Sequence, residues 1–409
     1  MKEFFKVTPL EKIFEYITQF PIVKTKKTDL INATGKILAE DILSDADIPA
    51  FPRSTMDGFA TGASSTFGAT ESNPAYLSLT DTVLMGQSAD FSIKQGQASK
   101  ILTGGMLPKG ADSVVMVEHT QTLDPATIEV YKSIAPGNNV VEIGEDFKKK
   151  NAVLFRGQIL RPQEIGLLAA LGIQEVKIYK KPAIGIISTG NELVSIDKSP
   201  LPGKIRDINT YTLAAMVHKA GAIPLTFGIV KDDFTAILDK CKTALEKSDL
   251  IMISGGSSVG TYDYTAKVLS SLPDSKILAH GISISPGKPT ILANVGGKAF
   301  WGMPGHVVSA MVVFNIVVLP FIKSIGGLAV KNQEKIRIPA ILTRNISSAQ
   351  GRIDFVRVKL FYDNKTMWAK PVLGKSALLN TMIKADGLIK IDINTEGLDK
   401  GTKVFVKLI

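Results

Sequence analysis

The chain has 409 residues, enough for about three domains at roughly 150 residues each, and a chain this long needs no disulfide or metal to hold its cores. Apolar residues are 45% and charged residues 21%, with one cysteine (Cys241) and four scattered histidines (His119, His218, His280, His306); this excludes a disordered chain, a disulfide framework and multi-cysteine zinc or iron–sulfur sites, and disfavours a histidine-rich metal centre. Of the formal charge of +10, most lies at the end, where residues 331–409 hold 15 Lys/Arg against 7 Asp/Glu, readable as an anion-facing module, a nucleic-acid surface or a solvated lysine-rich face.

The first residues mix Lys and Glu with apolar residues at helical spacing, which predicts helices over Phe4–Phe20 and Lys27–Ala39 around Pro21, not a signal peptide. From Ser44 to about Gly144 the texture is short β-type runs broken by Gly, Pro, Asn and Ser, among them Tyr76–Leu84, Ser113–Glu118 and Thr127–Tyr131. An apolar helix follows over Glu164–Leu171, stopped by Gly172. The β-rich stretch therefore reads as an insertion inside another domain.

From Lys181 to Gly327 strands and helices alternate as in an α/β domain. Ala183–Ser188, Ile223–Val230 and Leu250–Ser254 are predicted strands, with helices over Thr210–Ala220 and Asp233–Lys247. Pro289–Val295 and Lys298–Gly302 flank the hairpin turn Gly296-Gly297, and His306–Ile322 is a long apolar helix that Pro320 kinks or ends. Its apolar run, Ala310–Ile322, is too short to span a bilayer, so the reading is a soluble protein of a reducing compartment without a membrane partner. The last stretch alternates with period two (Val356, Val358, Leu360; Val404, Val406, Leu408), which predicts a small antiparallel β domain.

The chemistry concentrates in four Gly/Pro loops of the α/β stretch. ISGGSSVGTYDYT (253–265) follows a strand, so Gly255, Gly256, Ser257, Ser258 and Gly260 fall where open α/β sheets bind ligands, and their backbone N–H groups suit phosphate. GMPGH (302–306) opens the long helix, with Gly302 and Gly305 before it and Ser309 on its first turn. SPGKPT (285–290) offers Lys288 beside Pro289, and STGNEL (188–193) follows a strand. Taken singly, each is explained as a turn; together they favour a phosphorylated ligand. Asp57, Asp146, Glu192, Asp232 and Asp263 sit at loop positions, where carboxylates cap helices and turns or hold Mg²⁺ through oxygen. No Walker loop or GxGxxG motif is present.

RSTMDGFA, TGGMLPKGADSVVMVEH, IGED, STGNEL, GKIRDINTY, SGGSSVGTYDYT, SPGKPT and GMPGHVVSA, in this order along the chain, resemble the molybdopterin molybdotransferase family of bacterial MoeA and the gephyrin E domain. The resemblance implies a multidomain α/β plus β fold. Residues 1–45 and 145–178 would form a dimerisation domain, 46–144 a β-rich insertion, 179–328 a molybdopterin-binding α/β domain and 329–409 a small β-barrel. It further implies a cytoplasmic homodimer in which the insertion of one subunit covers the cleft of the other. The implied reaction inserts molybdate into adenylylated molybdopterin and releases AMP, assisted by Mg²⁺.

By the same resemblance Asp57, Asp146, Glu192, Asp232, Asp263 and Thr103 would be catalytic, with Asp57, Asp232 and Asp263 holding the metal. The four loops, with Lys288, Pro289 and Ser309, would take the pterin and the oxyanion, joined by Arg352, Arg357 and Ser376. The implied partners are the small-molecule substrate and the molybdopterin adenylyltransferase that supplies it, without nucleic acid. The chain departs from the family pattern at Ser285 and Gly281, where Lys is usual, and at His306-Val307 in place of Asn-Pro. Those departures motivate the alternatives of a catalytically weak pterin scaffold or of tungstate as the inserted oxyanion.

Overall fold

A computed structural model describes residues 7–255, 259–329 and 336–409, without the side chains of 259–263. Two compact units are present: Met1–Glu40 with Arg156–Pro162 and Glu175–Ile409, and Asp41–Phe155 with Gln163–Gln174.

The first unit is built on a six-stranded sheet. Its strands are β1 (Ala183–Thr189), β2 (Ile223–Val230), β3 (Leu250–Ser254), β4 (Ser275–His280), β5 (Ile291–Val295) and β6 (Lys298–Met303), in the order β2-β1-β3-β6-β5-β4. The pairs β2/β1, β1/β3 and β3/β6 are parallel, and β5 and β4 add antiparallel. The central strands are buried on both faces, which is why AIGIIS and LIMIS read as unbroken apolar runs. Helices α1 (Asn209–Lys219), α2 (Phe234–Lys247) and α3 (Val259–Ser271) connect them. Asp233 caps α2, accepting from the Ala236 N–H at 2.8 Å. β1 neighbours β2 on one side and β3 on the other, so the chain's winding reverses between β1 and β3, and a crevice is expected beyond their C-terminal ends.

The long apolar helix runs on past Pro320 to Ile325. A π-turn over Phe314–Val318 interrupts the hydrogen-bond ladder, and Pro320 falls in the first turn of the resumed helix, where its missing N–H costs little. Val307–Ile325 is long and apolar enough to cross a membrane by composition, but 72% of it is buried in the core. Its Phe321 meets Trp301 of β6 edge-on at 5.0 Å.

Three predicted elements differ. The N-terminal helix covers only Leu10–Glu15 with a tighter turn over Tyr16–Gln19, because Pro9 holds Thr8 extended against Ile282; Phe4 to Lys6 lie outside the described residues. Where a second helix was expected over Lys27–Ala39, Thr25–Asp29 is a strand paired with Glu175–Tyr179, so tertiary pairing overrides local propensity. The stretch from Val259, read as loop, is the opening of α3, which puts Gly260 and Asp263 on a helix.

In the same unit, Arg337–Leu342, Ile353–Asp363, Thr366–Pro371, Gly387–Ile391 and Lys403–Leu408 close into a barrel around Leu342, Val358, Ala369, Ile389 and Val406. The second unit carries another six-stranded sheet, in the order Ser113–Met116, Gly58–Thr61, Gln97–Ile101, Ala75–Thr82, Thr127–Val130, Thr120–Asp124.

Candidate active site

A cavity of about 270 Å³ lies at the crevice expected from the strand order. Thr189 from the end of β1 and Ser254-Gly255 from the end of β3 form its floor. Two helix starts face it, Ile208-Asn209 of α1 and His306-Val307 of the long helix, and Gly255 leads within four residues into the start of α3. Helix starts present unpaired N–H groups and partial positive charge, which suits a phosphate or an oxyanion.

Beneath the cavity lies a buried polar network. Asp207 is 4% exposed. Its Oδ1 accepts from the Ser188 hydroxyl at 3.1 Å and from the Thr210 N–H at 3.1 Å. Ser188 Oγ also lies 2.9 Å from Thr210 Oγ1 and 3.3 Å from Ser254 Oγ. The network ties β1, β3 and the start of α1 together. Asn209 donates to the Gly305 carbonyl at 2.8 Å, so α1 also holds the loop before the long helix. Asp207 and Asn209 stand in GKIRDINTY, outside the four Gly/Pro loops and the loop carboxylates of the sequence reading. Their signal was an Asp three residues ahead of a Thr at a helix start, the pattern of a capping residue.

Glu192 lines the cavity, and Gly190 is what lets it do so: a Cβ there would sit 2.8 Å from both Glu192 carboxylate oxygens. Asp232 is clamped to the same loop. Its Oδ2 accepts from the Asn191 N–H at 3.2 Å while its own N–H donates to Asn191 Oδ1 at 3.2 Å. Asp232 Oδ1 is buried and has no hydrogen-bond partner among the described residues.

Gly305 and Ser376 also reach this site. Ser376 stands 3.0 Å from His306 Nδ1, and its carbonyl accepts the Val308 N–H at 3.2 Å. Gly256, Ser257, Ser258 and the side chain of Asp263 lie outside the described residues.

Other predicted residues do not line the cavity. Gly302 is inside β6, packed against Ile291 and Thr265. Lys288 and Pro289 sit on the turn before β5, with Lys288 exposed, and Ser309 is buried in the first turn of the long helix. Arg352 is ion-paired with Asp354 at 2.9 Å. Arg357 is 9% exposed and spends two donors on Gly374 O and Thr381 Oγ1, each at 2.8 Å. Burial lowers its pKa, and it grips the loop that carries Ser376.

In the second unit Asp57 Oδ1 accepts from both the N–H and the hydroxyl of Thr103, each at 2.7 Å. These bonds, the backbone one foremost, hold the carboxyl below the usual range. Gly58 permits the arrangement, since a Cβ there would lie 1.9 Å from Val115 O. Asp146 lines a separate cavity beside the helix Pro162–Ala170. Among the described residues no three His, Cys, Asp or Glu side chains gather as a metal site. Cys241 is fully buried in the core, with its thiol pushed up to about 12.

The fold and its crevice define a multidomain α/β protein with a cleft at the sheet's switch point whose helix starts suit an anion. Residues 8–172 match the "MoeA N-terminal region (domain I and II)", 185–324 the "Probable molybdopterin binding domain" and 339–409 the "MoeA C-terminal region (domain IV)". A Methanocaldococcus jannaschii protein, provisionally named for molybdopterin biosynthesis, is 38% identical over 98% of this chain and 95% of its own. The molybdopterin molybdenumtransferase of Haemophilus influenzae is 32% identical over 95% of this chain and 94% of its own. The crystal structure of the molybdopterin biosynthesis MoeA protein of Pyrococcus horikoshii OT3 superposes with a TM-score of 0.83 at 32% identity, covering 99% of this chain and 100% of that one. The chain belongs to the MoeA family.

Proposed function

We propose that this chain is a molybdopterin molybdenumtransferase: it binds adenylylated molybdopterin in the cleft beyond β1 and β3, inserts molybdate and releases AMP. The observation that carries the reading is the convergence of helix starts on the ends of parallel strands in a MoeA-family chain. Such a crevice offers backbone N–H groups to a pyrophosphate, which would compensate for Ser285 and Gly281 standing where the family resemblance leads one to expect Lys. Ser376 and His306 add side-chain groups for the oxyanion at the start of the long helix.

The donor set also fits Mg²⁺. That ion takes one or two protein carboxylates and completes its shell with substrate phosphates and water, so no preformed cluster is required. Asp232, with one buried carboxylate oxygen lacking a partner among the described residues, would hold it, with Asp263 as a further ligand and Asp57 contributed by the other subunit of the dimer. The ion would supply charge neutralisation at the pyrophosphate when bound. Glu192 and the Asp207 network keep the loops in place around it.

The protein acts in the cytoplasm as a homodimer and receives its substrate from the molybdopterin adenylyltransferase. Calorimetric titration with adenylylated molybdopterin tests the assignment of the cleft. Wild type should bind one molecule per chain, and Glu192→Ala and Asn209→Ala should weaken binding at least fivefold. Unchanged affinity in both variants would place the ligand elsewhere.

A further inference from the structure

We propose that the sheet-containing unit has a second ligand site, for a small organic anion with an apolar body, at the opposite end of the sheet from the cleft. A cavity of about 570 Å³ opens there, within the size range of small-molecule sites. Pro182 before β1, Ile223 at the start of β2, Gly221 after α1 and Gly326 after the long helix all line it. The cleft residues Thr189, Asn209 and Val307 stand at the other ends of β1, α1 and the long helix, so the two cavities lie at opposite ends of the same three elements.

Charge and surface point to the ligand. Lys26, Lys36, Lys180, Lys181 and Lys323 line the cavity, and no Asp or Glu does. None of the five makes an ion pair among the described residues. Lys36 and Lys323 are half-buried; the only hydrogen bond of either ammonium group there is a long one, Lys36 Nζ to Thr28 Oγ1 at 3.4 Å. Two helix ends also point here, each worth about half a negative charge, and they offset only a small part of five lysines. The walls are apolar, from Ile37, Ile178, Ile322 and Leu328 with the Tyr179 ring. At the rim Ile159 and Ile223 stay 44% and 46% exposed. Unpaired ammonium groups around an apolar hollow match a phosphate or carboxylate attached to an aromatic or branched body, and match neither inorganic phosphate nor a neutral hydrocarbon.

The test is calorimetric titration of the full chain with 1-naphthyl phosphate, with inorganic phosphate and 1-naphthol as separate titrants. A saturable site that survives Glu192→Ala should appear for naphthyl phosphate, at least tenfold tighter than for either fragment and weakened by salt. Lys36→Glu with Lys323→Glu should weaken it at least tenfold. Ile159→Trp, which keeps every lysine and fills space at the rim, should weaken it at least threefold. Lys247→Glu with Lys276→Glu, on exposed lysines elsewhere, should leave it unchanged, and so should Glu192→Ala in the cleft. Equal binding of inorganic phosphate, loss of binding in Glu192→Ala, or full binding by both cavity variants would each overturn the proposal. A cleft that binds its own substrate normally leaves this outcome independent of the proposed function.

Discussion

Replacing Asp207 by Ala removes the acceptor at the centre of the buried network under the cleft. Two hydrogen bonds go with it. The Thr210 N–H belongs to the first turn of α1 and loses what amounts to a cap, worth about 1 kcal/mol. The Ser188 hydroxyl loses a bond to a carboxylate, worth about 1.5–3 kcal/mol, but it can turn to Thr210 Oγ1 or Ser254 Oγ nearby. That substitute keeps the second loss near the low end, so Asp207→Ala should destabilise this unit by about 2–3 kcal/mol. Asp207→Asn keeps an acceptor oxygen in place and should cost less than about 1 kcal/mol. Trp301, fully buried in the same core, reports the transition, and Trp368→Phe removes the second tryptophan. Urea unfolding followed by tryptophan fluorescence then gives both differences. If Asn and Ala cost the same, or Ala costs nothing, the network does not hold the cleft together as argued.

Thr103→Val removes one of the two bonds to Asp57 and keeps the backbone one, so carboxyl-carbon NMR should show the Asp57 pKa rising toward, but staying below, its ordinary value. Because the folded pKa is depressed, the stabilising contribution is present above the ordinary carboxylate value and is lost as pH falls through the folded one; Thr103→Val should narrow that window at its acid end. Gly190→Ala should push the Glu192 carboxylate out of the cleft, reproducing the binding loss of Glu192→Ala, and, because Gly190 has φ +156°, it should also lower the melting temperature. Arg357→Met should free the loop from Gly374 to Thr381 at a net cost on the order of 2 kcal/mol, read as new protease cleavage in that loop, with Arg357→Lys intermediate. Mixing Asp57→Ala chains with Glu192→Ala chains, after verified subunit exchange, should restore up to about a quarter of wild-type turnover, as expected when half the dimers carry one intact site of two; no recovery would show that each site is built by one chain.

The parallel strands were legible because burial on both faces leaves an unbroken apolar run, as in Leu250–Ser254. Ile223–Val230 is exposed in part yet still marked by its β-branched residues. The strand at Thr25–Asp29 was not legible, since its partner lies near residue 177, and no local pattern in TKKTD announces that pairing. The start of α3 was masked by glycine and serine, which read as loop. Glu192, Gly255 and Gly305, which line the cavity, stand in Gly-rich turns after strands, a pattern visible in the sequence. Which backbone carbonyls come back to meet the Arg357 guanidinium is a property of the closed barrel, not of the local sequence. A buried carboxylate serving two neighbours, as Asp207 does, looks in sequence like any other turn former.

The measurement that bears most directly on the central claim is a single-turnover assay with purified chain, adenylylated molybdopterin, Mg²⁺ and molybdate, following AMP and pterin-bound molybdenum together. The account predicts AMP release that requires molybdate and matches the molybdenum incorporated one for one. Substrate that stays intact in the cleft, or AMP release that ignores molybdate and leaves the pterin free of metal, would contradict it.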